Sequence, residues 1–229
     1  MTTPVTSALV RETQTIPIVI VNVADPSRFI TSLARPGGNV TGFAVDEPGM
    51  GGKRLELLKE VMPQAVRVAI LQQPGNPAHP VFIDEIQPTA RSLALTFRIF
   101  EASRSEDFER SFALMQEWPA DAVIVLDDSV FISYRAIMAE SAARHRLPLI
   151  CGFQEMTRAG CLFSYSVSLK DMWYRLATYV DKILKGAQPS DLPVLQGAKF
   201  EFVINLKTAN ALGLDVPPTL LTRADEVIE

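Results

Sequence analysis

The chain has 229 residues, 48% of them hydrophobic and 21% charged, with a formal net charge of −4 at neutral pH. This is enough apolar mass for one large domain or two small ones, and the weak acidity argues against a nucleic-acid partner, which needs a clustered basic surface. No apolar run approaches the ~18–20 residues of a membrane span, and the opening "MTTPVTSALVRETQT" lacks the basic and apolar regions of a secretory signal, so it reads literally as a chain that is not exported.

In chain order, short apolar runs alternate with segments of helical period. The runs lie at 16–23 (IPIVIVNV), 66–71 (VRVAIL), 97–102 (FRIFEA), 121–126 (DAVIVL) and 147–153 (LPLICGF). They are rich in β-branched residues without strict alternation, as in strands of a parallel sheet covered on both faces. Helices are predicted at 50–62, 77–94, 105–117 and 131–146. Leu55, Leu58 and Met62 form one apolar stripe, and Phe108, Phe112 and Met115 another. Ser103 and Glu106 have the spacing of a capping box, and Pro88 predicts a kink near residues 84–87. After 153 come a strand in "CLFSYSV", a long amphipathic helix stopped at Gly186, a linker "AQPSDLP", and a strand "KFEFVINL" with Phe200, Phe202 and Ile204 alternating. The tail reads as a short helix, a Pro-Pro turn and a closing helical turn. The fold class is therefore α/β with parallel sheets and right-handed crossovers.

In such sheets ligands bind beyond the carboxyl ends of the strands. The residues there are Asp25-Pro26, Gln73 and Asn76, Asp127-Asp128-Ser129, and Gly152-Phe153-Gln154. They suit a pocket for a small polar molecule, although Asp, Asn, Pro and Gly also form plain turns. Of the adjacent pair Asp127-Asp128, one should face the ligand side while the other caps the helix that follows. No nucleophile elbow, phosphate loop or zinc motif is present. "RPGGN" at 35–39 precedes a strand and not a helix, so it reads as a chain reversal needing positive φ. His145 falls at a helix C-terminus, a structural position. Cys151 and Cys161 fit no metal spacing and read as buried apolar residues or as a disulfide.

The blocks "TIPIVIVNVADP", "SLARPGGNVTGF", "GKRLELLKEVMP", "ARHRLPLICGF", "YVDKILKGAQPSDLPV" and "KFEFVINLKTANALGL" resemble, in order and over essentially the whole chain, the substrate-binding proteins of ABC transporters with the type I periplasmic-binding fold, in the branch that includes aromatic-amino-acid binders. The resemblance implies two Rossmann-like lobes with hinge closure on a small-molecule ligand, an amino acid or similar. It implies delivery to an ABC permease, a periplasmic location, no cofactor, no metal and no catalysis. Lobe 2 would be residues 65–165, and 1–64 with 166–229 would form a lobe 1 incomplete at its N-terminus. At ~30 residues per βαβ unit, some 70–80 residues would be missing. That would leave apolar surface exposed on lobe 1 and open to self-association.

Residue by residue, the resemblance implies ligand contacts at Thr3 and Pro4 (a first binding loop), Asp25, Asn76, Asp128, Phe153 and Tyr165. Asp25 or Asp128 could hold an ammonium, and Phe153 or Tyr165 could stack on a planar group. Gln73, Ser166 and Ser168 depart from the pattern, and "DPSRFITSL" is two residues short of it. The alternatives are a sensory or regulatory ligand-binding domain of the same fold, a metal enzyme built on Asp127 and Asp128, and a shortened paralogue that binds nothing.

Overall fold

The computed structural model describes residues 3–23, 25–44, 49–196 and 199–229. The chain divides into two compact units, Met1–Glu47 with Val167–Phe200, and Pro48–Ser166 with Glu201–Glu229, and crosses between them three times.

The first unit is built on a parallel sheet of β1 (Ile18–Val23), β2 (Val40–Ala44) and β8 (Leu195–Gln196), in the order β1-β2-β8. The apolar run at 16–23 places Ile18, Ile20 and Val23 on one face, where they pack with Val40 and Val194. Val21 and Phe43 on the other face meet Met172, Leu176 and Tyr179 of α8 (Leu169–Leu184), whose heptad-like spacing predicts this buried stripe. The Arg175 guanidinium lies 4.8 Å from the centre of the Phe43 ring, and the Tyr179 hydroxyl donates to the carbonyl of Pro193 at 2.7 Å. Residues 3–12 form helix α1 (Thr3–Glu12), so Thr3 and Pro4 occupy its first turn and not a loop. Proline fits there because the first helical N–H groups lack intrahelical acceptors in any case. The segment after Asp25 winds only a 3₁₀ turn, Pro26–Arg28. Gly37, with φ +78°, provides the positive φ expected of "RPGGN".

The second unit holds a sheet in the order β10-β9-β7-β6-β5-β3-β4. Its strands are β3 (Arg67–Gln72), β4 (Thr96–Glu101), β5 (Ala122–Val125), β6 (Leu149–Cys151), β7 (Phe163–Val167), β9 (Phe200–Asn205) and β10 (Glu226–Ile228). The pairs β3–β4, β3–β5, β5–β6, β6–β7 and β9–β10 are parallel. One face packs on α2 (Met50–Val61), α3 (His79–Ser92), α9 (Leu206–Leu212) and α10 (Pro218–Leu221), and the other on α4 (Ser105–Glu117), α5 (Ser129–Ser133) and α6 (Arg135–Arg144). Burial on both faces is why β3, β5 and β6 read as continuous apolar runs.

The units part at other residues than the expected 64/65, and 201–229 groups with the larger one. Leu55 and Leu58 of α2 share a core with Val68 and Ile70, and Phe202, Ile204, Val216 and Leu220 complete it. Helix α3 runs unbroken through Pro88. The capping box of α4 runs from Arg104 to Asp107 and not from Ser103 to Glu106: Asp107 Oδ2 reaches back to accept from the N–H groups of Ser103 and Arg104 at 2.8 and 2.9 Å. Glu106, one residue too early, pairs with the Arg104 side chain instead. The region 131–146 is two helices, α5 and α6, broken at Tyr134. Cys151 and Cys161 form a disulfide.

Candidate functional site

Polar side chains gather at the carboxyl ends of β3, β5, β6 and β7 in the larger unit. Beyond β3, His79 reaches back to the backbone: its Nδ1 lies 3.2 Å from the Gln73 nitrogen and 3.1 Å from the Gln73 oxygen, and its Nε2 3.4 Å from the carbonyl of Asp127. Burial pushes the His79 imidazole below its usual pKa, outweighing the carboxylates of Asp127 and Asp128, which act the other way. The neutral ring ties the end of β3 to the end of β5.

The two adjacent aspartates divide their roles. Asp128 caps α5, accepting from the Val130 N–H at 2.7 Å through Oδ1, while its Oδ2 accepts from Asn76 Nδ2 at 2.8 Å. Asp128 is 3% exposed and Asn76 4%. Two of the expected contact residues are thus bonded to each other, and both oxygens of Asp128 are engaged within the chain. Asp127 instead accepts from Arg54 Nη2 at 2.8 Å through Oδ2. Arg54 projects from α2, is fully buried, and donates through Nε to the carbonyl of Tyr165 at 2.9 Å. One guanidinium therefore joins the end of β5 to β7 across β6. Gly152, just past β6, makes room for this bridge: a Cβ there would fall 2.0 Å from Asp127 Oδ1 and 2.7 Å from Arg54 Nη2. Among the described residues, Arg54 Nη1, Asp127 Oδ1 and Gln73 Oε1 are buried without a hydrogen-bond partner.

Phe153 follows Gly152 and precedes α7 (Gln154–Ala159); its side chain is buried, 2% exposed. Tyr165, on β7, is half-buried against Phe202, with ring centres 6.3 Å apart. In the smaller unit, Asp25 caps the 3₁₀ turn. It accepts from the N–H and hydroxyl of Ser27 at 3.2 and 2.5 Å and from Arg28 Nε at 3.0 Å. The hydroxyl of Ser27, with Arg28 in support, holds its carboxyl below the usual range. Asp25 borders a depression of about 270 Å³ shared with Pro26, Ser27, Ile30, Thr31, Ser32 and Leu33. Thr3 is buried in the same unit.

Sequence reasoning missed Arg54, although a signal existed: a charged residue sits beside Leu55 on the stripe of α2 that faces the core. Among the described residues no group of three or more His, Cys, Asp or Glu is placed to hold a metal, and no helix is long and apolar enough to cross a membrane.

Residues 1–228 match the family model described as ABC transporter substrate binding protein. The chain belongs to this family. It is 24% identical over 221 residues to a protein of Clostridioides difficile (strain R20291) named a tyrosine-binding protein, an alignment that takes in 93% of this chain and 62% of that one. The chain thus spans less than two thirds of the length of that curated relative. A conserved domain protein from Vibrio cholerae superposes with a TM-score of 0.90 at 27% identity, covering 99% of this chain and 76% of the other. An ABC domain from Streptococcus pneumoniae, solved in complex with L-Trp, gives 0.90 at 26% identity, covering 99% and 77%. The type I periplasmic-binding architecture that the sequence blocks implied is the architecture found.

Proposed function

We propose that this chain binds an amino acid with an aromatic side chain, as the solute-binding component of an ABC importer, and passes it to a membrane permease without chemical change. The observation that carries this reading is the match at TM-score 0.90 over 99% of the chain to a structure in complex with L-Trp. Family membership over residues 1–228 and the similarity to a tyrosine-binding protein support it. The local chemistry agrees. Both units end strands in short polar loops, with Asp25 in one and Asp127 in the other, and carboxylates there suit an ammonium. Membership in a family of ABC transporter substrate-binding proteins supports a site of action outside the cytoplasm.

The test is thermal unfolding with and without each of the twenty L-amino acids, followed by calorimetric titration. A ligand at a hundred times its Kd stabilises by about 2.7 kcal/mol, which raises the Tm of a protein of this size by roughly 5–10 °C. L-Tryptophan or L-tyrosine is expected to give such a shift. No shift with any amino acid at millimolar concentration would sink the reading and leave the non-binding alternative.

A further inference from the structure

We infer that Asp127, and not its neighbour Asp128, is the carboxylate of the larger unit that takes the ligand's ammonium, and that Arg54 is its positioning residue. The assignment rests on the amino-acid reading above.

Asp128 is spent. Its oxygens hold the Val130 N–H and the Asn76 amide at 2.7 and 2.8 Å, and it is 3% exposed. Asp127 has 20% of its side chain exposed, beyond the carboxyl end of β5, with β3 and β6 on either side. That is where ligands bind on parallel sheets.

Its placement is imposed. The guanidinium of Arg54, itself completely buried, grips Oδ2 at 2.8 Å and is fixed in turn by the carbonyl of Tyr165 at 2.9 Å. Oδ1 is pressed over Gly152, in space that any Cβ would fill, and has no partner among the described residues. A buried unpartnered oxygen and the unpartnered Nη1 of Arg54 both cost stability. A pair that served stability alone would be expected to satisfy these atoms, or to give way to apolar packing. The arrangement holds the carboxylate immobile, with Oδ1 shut in over Gly152 and the exposed fifth of the side chain leaving Oδ2, which has a second lone pair beside the one Arg54 uses, to accept a charge-assisted hydrogen bond.

The experiment compares wild type with Asp127→Asn, Arg54→Gln and Arg54→Lys, titrating L-tryptophan and its deaminated analogue indole-3-propionate. Asp127→Asn keeps an oxygen for Arg54 and is expected to fold. It should weaken L-tryptophan binding at least tenfold and shrink the preference for L-tryptophan over indole-3-propionate by a similar factor, a change that a merely structural role does not produce. Arg54→Gln should show the same loss of selectivity beyond its lowered Tm, with Arg54→Lys restoring part of it. An Asp127→Asn protein that keeps wild-type selectivity within twofold overturns the assignment while leaving amino-acid binding intact. If Arg54→Gln fails to fold, the Asp127→Asn result still decides for or against the ammonium contact. Wild type that binds neither amino acid nor analogue overturns the amino-acid reading, and this assignment falls with it.

Discussion

At the scale of single residues, the chain shows how much a side chain's role depends on what its neighbours leave it. Asp127 and Asp128 are adjacent and chemically identical, yet one caps a helix and the other is held by a buried arginine. Sequence reasoning foresaw that the pair would split, because successive side chains near a strand end diverge, but not which would do which. The decision lies with Arg54 and Gly152, 73 and 25 residues away in the chain, and no local spacing reports it. His79 is the other residue fixed by context. It stays neutral in the folded protein because it is buried, whereas the unfolded chain takes up a proton near the ordinary value of 6.5. The unfolded state therefore binds more protons on acidification, and stability falls as pH drops through and below that value. Urea unfolding between about pH 7.5 and 5 should show this decline, and His79→Gln should flatten it. An unchanged slope would place the pH dependence elsewhere.

At the scale of elements, the strands and helices of the larger unit were legible because doubly covered parallel strands leave continuous apolar runs between amphipathic helices. The runs at 66–71 and 121–126 fall within a residue of β3 and β5. What was illegible had weak or displaced local signals. Helix α1 opens on Thr-Pro, which reads equally well as a loop. Strand β10 is three residues in a polar tail and exists because it pairs with β9. The cap of α4 was shifted by one residue, since the nearby Glu106 fits the same pattern as Asp107. The disulfide was one of two readings of the cysteines; it closes a segment ten residues apart in sequence, from the last residue of β6 to the approach of β7. Gly152, Phe153 and α7 lie inside that loop. Loop-closure entropy gives such a link about 2–3 kcal/mol. Cys151→Ser with Cys161→Ser should therefore lower the urea midpoint, with an m-value that stays the same or rises slightly as the unfolded chain is freed. Ligand affinity should fall with it, because Gly152 is the surface against which Asp127 rests. Retained affinity would show that hydrogen bonds alone hold the loop.

At the scale of the whole molecule, the two units differ in what holds them. The larger packs two extended cores on opposite faces of its sheet, with Phe108, Phe112, Phe131 and Met138 on one side and Leu55, Ile86, Phe163 and Phe202 on the other. The smaller has a short sheet with modest clusters around Phe43 and Ile20. Local opening costs less where less apolar surface is buried. Hydrogen exchange is expected to reach β1, β2 and α8 well before β3, β5 and β6. Uniform protection would mean that the chain unfolds as a single cooperative body.

The bond between Cys151 and Cys161 also makes this chain sensitive to where it is synthesised. Protein disulfides persist where thiols are not kept reduced. A cell that folds the chain in its reducing interior would make a version with two buried thiols and an unfastened strand-end loop, from the same gene. The binding a preparation displays then depends on the redox conditions under which the chain folded and was kept, as well as on the sequence.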